Sequence, residues 1–194
     1  MSVTLDLKKD HQFVRRLGVV AETCSEKLYA NEDIPLEDIE IASVIMGEFV
    51  DAFHHGKEEK AYFPVTKDKN SFGEDIRKFL IEHELGRRIA KMLRRELVIW
   101  RNCERERRRF ENKEPVARFL KSYAVFITDH TAKEDTFFDI VQNKNNVSEE
   151  EEEMIAKHYE VCKNQIGGQV RIEELSKLLE YLEQTYWMKQ VGQS

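Results

Sequence analysis

The chain has 194 residues, 41% apolar and 35% charged, with only 8 Gly and 3 Pro and a formal net charge of −6. One domain with a well-buried core is expected, and so few breakers favour long helices over a many-stranded sheet. The acidic balance gives no overall positive field for nucleic acid or an anionic membrane, and no apolar run approaches the roughly 18 residues of a membrane span.

Met1 to Asp10 lacks an apolar segment of signal-peptide length, and Cys24, Cys103 and Cys162 are widely separated with no CxxC pair. A cytoplasmic protein with reduced thiols is the expectation. A first helix is expected from about Leu7 to Tyr29, ending in Ala30-Asn31-Glu32-Asp33. A second begins after Pro35 and continues to Phe63, where Pro64 stops it. Lys67 to Gly73 is a loop rich in Lys, Asp and Asn. A third helix runs from about Glu74 to near Glu111, and Pro115 suits the first turn of a fourth that reaches about Val141. Asn143 to Asn146 is a break, after which Ser148 and Glu151 form a capping box opening another helix. Gly167-Gly168 ends that helix, and Val170 to Lys189 makes one more. The fold class is therefore all-α: an up-down four-helix bundle over residues 1–142, with a helical C-terminal extension, 143–194, packed on it.

The first signal of function is an internal repeat. Asp10-His11-Gln12-Phe13-Val14-Arg15-Arg16-Leu17 matches Glu82-His83-Glu84-Leu85-Gly86-Arg87-Arg88-Ile89 in acid, His, paired Arg and aliphatic positions. His54-His55-Gly56-Lys57-Glu58-Glu59, with Tyr62, matches His130-Thr131-Ala132-Lys133-Glu134-Asp135, with Phe138. A helix pair repeated twice encodes a bundle with a pseudo-twofold axis, and such an axis suits a two-metal site.

His and Glu four residues apart share one helix face. His54 and Glu58 lie on a stripe with Val50 and Ala61; His130 and Glu134 lie with Tyr123, Ile127, Phe137 and Val141. His83 shares its stripe with Ile76, Leu80, Ala90 and Leu97, while His11 shares a smaller one with Val14, Gly18 and Ala21. Two carboxylates directed into a core need pairing or a metal. Imidazole and carboxylate without thiolate suit Fe, Mn or Zn, and two carboxylates on facing helices can bridge two ions, each capped by two histidines. The order His-then-Glu is not the Glu-x-x-His of ferritin-like di-iron bundles.

His55 and Glu59 are expected beside the ligands rather than among them. Glu84 and Asp135 read as acids that orient ligand imidazoles or lie on the surface. His158 reads as a surface or packing histidine, and Arg101 to Arg109, interrupted by Glu104 and Glu106, as a solvated face.

From about His11 to Val141 the chain resembles the hemerythrin-like family, the HHE cation-binding domain. The resemblance rests on His54 to Glu59 running on to Phe63-Pro64, and on Glu82-His83-Glu84. It implies His11, His54, His83 and His130 as terminal ligands of two iron ions, oxo- or hydroxo-bridged, with Glu58 and Glu134 as bridging carboxylates. Oxygen-carrying members use a fifth histidine one turn along the third helix, where Phe79 and Arg87 stand. The pattern is thus more similar to the bacterial iron-cluster-repair and sensor members. The function expected is a non-haem di-iron protein that binds or senses O2, NO or peroxide, or handles iron. A di-iron oxidoreductase acting on peroxide or nitric oxide, or a helical interaction module with a structural metal, are the alternatives. No residue is assigned a purely catalytic role, and no nucleic-acid or membrane partner is expected.

Overall fold

The computed structural model describes residues 2–106, 112–144 and 146–189, and all its regular structure is helical. Arg107 to Arg109 and the expected helix end near Glu111 lie outside the described residues. Helix α1 spans Val3–Tyr29, one turn earlier than its apolar pattern announces, because Val3 and Leu7 are buried. It stops where Asn31 turns left-handed at φ 58°, a conformation Asn tolerates better than most residues.

Helix α2, residues 36–66, is not regular. An α-helical start, Leu36–Ile45, gives way to wide π turns over Met46–His55 and Glu58–Tyr62, and an α turn, Phe63–Thr66, closes it. Pro64 does not stop the helix at Phe63. It stands within that closing turn, and the helix runs on past it to Thr66. The wide turns coincide with burial on every side: each residue from Phe53 to Glu58 is buried.

Helix α3 covers Gly73–Arg105 and α4 Glu114–Asn143, with Pro115 in its first turn. Helix α5, Glu149–Gln165, starts at the expected capping box: Ser148 Oγ accepts from the Glu151 N–H at 3.3 Å, and Glu151 Oε2 from the Ser148 N–H at 2.8 Å. Gly167 and Gly168 then take φ of 111° and 77°, which a side chain would resist, and reverse the chain into α6, Gly168–Glu183. The single last helix expected from Val170 is broken at Gln184-Thr185, so Tyr186–Lys189 forms a separate turn, α7.

Helices α1 and α4 pack along their length, α3 packs on α4, and α2 lies against α3 and α1. Leu175, Leu179, Leu182 and Trp187 of the C-terminal segment join the same apolar cluster as Val14, Leu17, Val50 and Ile127. A second cluster holds Val3, Leu7, Tyr62, Phe79, Phe137 and Phe138. The buried histidines and glutamates lie between the two. Leu80, read onto the inward stripe of α3, is instead 41% exposed. No described helix is long and apolar enough to cross a membrane.

Candidate metal centre

All six residues carrying the repeat meet at one place, one or two from each of α1 to α4, and none is more than 1% exposed. His11 Nε2 lies 3.4 Å from Glu134 Oε2 and 3.7 Å from Glu58 Oε1. His54 Nε2 lies 3.5 Å from Glu58 Oε1, and His130 Nε2 3.2 Å from Glu134 Oε2, each within its own helix. His83 Nε2 is 3.4 Å from Glu58 Oε2 and 3.3 Å from Glu134 Oε1. Each carboxylate thus faces imidazoles from both halves of the repeat. Most of these buried atoms, including both Glu58 oxygens and the Nε2 atoms of His11, His54 and His130, make no hydrogen bond. Such orphans are costly in a core. Atoms bound about 2.1 Å from one ion at roughly 90–110° lie about 3.0–3.5 Å apart, close to the 3.2–3.7 Å found here.

The other ring nitrogens are held from behind. His11 Nδ1 meets Asp135 at 2.8 Å, His83 Nδ1 meets Glu59 at 2.7 Å, and His130 Nδ1 meets Glu82 at 2.8 Å. His54 Nδ1 is 3.3 Å from Asp10. A carboxylate accepting from Nδ1–H fixes the tautomer whose Nε2 lone pair points into the centre, the arrangement that orients metal-binding imidazoles. Every pair crosses between helices, and every pair has its counterpart under the repeat. Behind the acids the pattern continues. Arg15 holds Asp135 at 2.7 Å and Arg87 holds Glu59 at 2.7 Å; Lys57 holds Asp10 at 2.6 Å and Lys133 holds Glu82 at 2.8 Å.

The electrostatics call for positive charge. Burial works to lower His11, yet the hydrogen bond to Asp135 and the facing Glu134 and Glu58 carboxylates push it up to about 11. His83 is pushed up to about 10 against the same burial, by hydrogen bonds to Glu134 and Glu59 and by the charges of Glu134 and Glu58. Burial and the charge of Glu134 push Glu58 up, while at Glu134 the burial penalty is outweighed by the facing imidazoles of His130, His11 and His83. Protons on His11 and His83 balance the carboxylates when nothing else does, and cations would take that role in their place. The donor set fits metal ions of the Fe, Mn and Zn kind, and no cysteine belongs to it.

Four residues add to their sequence reading. His55 stands beside the ligands, as read, but in direct contact with one of them. Its ring stacks on His83 with centroids 3.9 Å apart, and its donor atom groups with those of His83 and His130, while His11, His54, Glu58 and Glu134 form a second group. Both of its nitrogens are buried without a hydrogen bond. The doublet His54-His55 was the visible signal, but a regular helix turns neighbours about 100° apart and discourages placing both inside. Glu59 also stands beside the ligands, where it holds His83. Asp10 and Glu82, the acids that open the two repeat blocks, hold His54 and His130, and only the helix crossings show it. Glu84 is a surface acid paired with Arg88 at 3.1 Å, and His158 is exposed, its Nδ1 2.9 Å from the Met154 carbonyl.

Compared with known proteins, residues 3–141 match the family model of the hemerythrin HHE cation binding domain. No curated protein and no solved structure matched the chain.

Proposed function

The chain belongs to the hemerythrin HHE cation-binding family, and from that premise we propose that it is a non-haem di-iron protein that binds or senses a small ligand (O2, NO or peroxide) or handles iron. In this reading α1 to α4 form an up-down four-helix bundle, residues 1–142, on which the extension 143–194 packs. His11 and His54 would hold one ion and His83 and His130 the other, with Glu58 and Glu134 shared between them. Iron held there supplies the redox chemistry and the positions open to a small ligand. The chain's own part is to aim four Nε2 atoms, to keep their Nδ1 protons on Asp10, Glu59, Glu82 and Asp135, and to exclude bulk water with the rings around them. Phe138 stacks on His11, Phe63 on His83 and Phe126 on His130. The observation that carries the reading is the fourfold Nδ1–carboxylate pairing. Acids that merely neutralised buried histidines would not all sit on the same ring nitrogen with the other nitrogen left facing Glu58 and Glu134. Three free cysteines suit a reducing, cytoplasmic setting.

Metal analysis of protein expressed with ample iron and purified in air, together with its visible spectrum, tests the proposal. About two iron ions per chain are expected. Zinc alone would remove the redox reading, and a metal content near zero would remove the centre.

A further inference from the structure

The two halves of the centre duplicate one another in ligands, in the acids behind them, and in the Arg and Lys behind those. They part at an inward position beside the ligands. The repeat aligns His55 with Thr131. Thr131 satisfies itself, its hydroxyl donating to the Ile127 carbonyl at 2.9 Å. His55, 3% exposed, has no hydrogen-bond partner on either nitrogen; its nearest acid, Asp51, is 3.7 Å away and is engaged by Arg87 at 2.6 Å. The halves part again nearby, where the repeat aligns Gly86 with Val14, a fully buried side chain.

A cavity of about 340 Å³ opens at that same place, between α2, α3 and α4. It runs from exposed Lys91 and Arg94 inward past Val50, Ala90 and Phe126 to His55. Its walls are mostly apolar, and Gly86 leaves room for the Phe126 ring, which would otherwise lie 2.5 Å from a Cβ there. A buried, unpartnered imidazole at the inner end of an apolar passage is a donor without an acceptor. It stands in ring contact with His83 and edge-on to His130, on one side of the centre only.

We propose that this cavity is the entry route and binding pocket for a small hydrogen-bond-accepting molecule of two or three heavy atoms, with the His55 imidazole as its hydrogen-bonding partner beside the His83–His130 ion. The inference rests on the di-iron reading above and adds direction to it: the ligand arrives on one ion of the pair, from the α2–α3–α4 side. The pocket is large enough for such a molecule; Asp51, Arg87, Lys91, Arg94 and Tyr123 also line it, Arg87 is engaged by Asp51 and Glu59, and His55 is the buried lining side chain in ring contact with His83 and His130.

The test uses the full iron-loaded chain and azide, read by the visible absorption azide gives at ferric iron. His55→Thr installs the residue of the other half, and Ala90→Leu narrows the passage without touching a ligand or its carboxylate. Both variants should keep the wild-type iron content and spectrum. Loss of a buried hydrogen bond should weaken azide binding in His55→Thr by about 10-fold or more. Ala90→Leu should slow azide entry by about 10-fold or more, since rate rather than contact is what a narrower passage changes. If the larger side chain is not tolerated, His55→Thr carries the test alone. Unchanged azide affinity in His55→Thr overturns the pocket, and so does loss of one iron from that variant, because His55 is then a metal donor. Wild-type protein that holds no iron removes the di-iron reading itself, an outcome recognised before any azide is added.

Discussion

Asp10 precedes His11 on α1, yet its carboxylate serves His54 of α2, 3.3 Å from Nδ1, while it accepts from the buried Lys57 ammonium at 2.6 Å. The neighbour in sequence and the partner in space are different histidines. Each helix of the centre therefore presents a ligand and steadies a ligand of the helix beside it, so loss of one acid is felt on another helix. Single substitutions can trace that coupling.

Glu58→Ala and Glu134→Ala should each lose most of the bound metal, because each carboxylate faces imidazoles of both halves. Glu59→Ala leaves the centre intact but frees His83 Nδ1, and should weaken metal binding by about 10–100-fold. Glu84→Ala, on the surface, should be nearly silent, within about 0.5 kcal/mol. Iron stoichiometry and affinity in the four variants check this order. Equal effects at Glu59 and Glu84 would show that the Nδ1 pairing does not tune the centre.

The metal-free and metal-loaded proteins should respond to pH in opposite senses. In the metal-free chain His11 and His83 are raised from 6.5 to about 11 and about 10. Their contribution to stability is complete below 6.5 and is lost as pH rises through those values. The metal-loaded chain instead fails on acidification, because imidazole binds a metal only without its proton. Thermal midpoints of both forms between about pH 5 and pH 10 test this. Parallel curves would mean that the histidines are not the groups that exchange protons for metal.

Lys57 and Lys133 hold matching acids in different surroundings. Lys57 is fully buried, paired with Asp6 and Asp10, and lies over the rings of Phe53 and Tyr159, whereas the Lys133 side chain is 47% exposed. Lys57→Met strands Asp10 in the interior and should cost about 3–5 kcal/mol. Lys133→Met should cost about 1 kcal/mol or less. Urea unfolding of the two variants measures the difference, and similar losses would mean that Tyr159 does not shelter Lys57 in solution.

One buried carboxylate adds a polar tie to the apolar packing of the last two helices. Asp38 Oδ1 accepts from the Tyr181 hydroxyl at 3.0 Å, and Oδ2 from Trp187 Nε1 at 2.9 Å. Asp38→Ala leaves the buried indole N–H unsatisfied, at about 1–3 kcal/mol. Hydrogen exchange should quicken first in α6 and α7. If it quickens first in α1 to α4, Asp38 holds the bundle rather than the extension.

Most of the helix positions, and the six residues that converge, were legible because their information is periodic. His and Glu spaced by four, apolar residues on the same stripe, and one block written twice all survive in a string of letters. Lys57 shows what was not legible. Its repeat partner Lys133 is solvated, and nothing local to residue 57 says that Tyr159 will cover it. Leu80 fails in the reverse way: it sits on the apolar stripe of α3, but is left 41% exposed.

Sequence alone determined an all-helical chain, its main breaks, and the residue types that meet at the centre, since each depends on contacts within a few turns of one helix. Tertiary structure decided the rest. Helices pack around the wide turns of α2 on every side, so His54 and His55 are both buried although neighbours on a regular helix point about 100° apart. The helix crossings decide which acid holds which histidine. The difference between Gly86 and Val14 becomes a difference between an open and a filled side only when α3 meets Phe126 of α4. These are relations between surfaces that lie far apart along the chain, and each is fixed by the shape of the partner rather than by the spacing of its own residues.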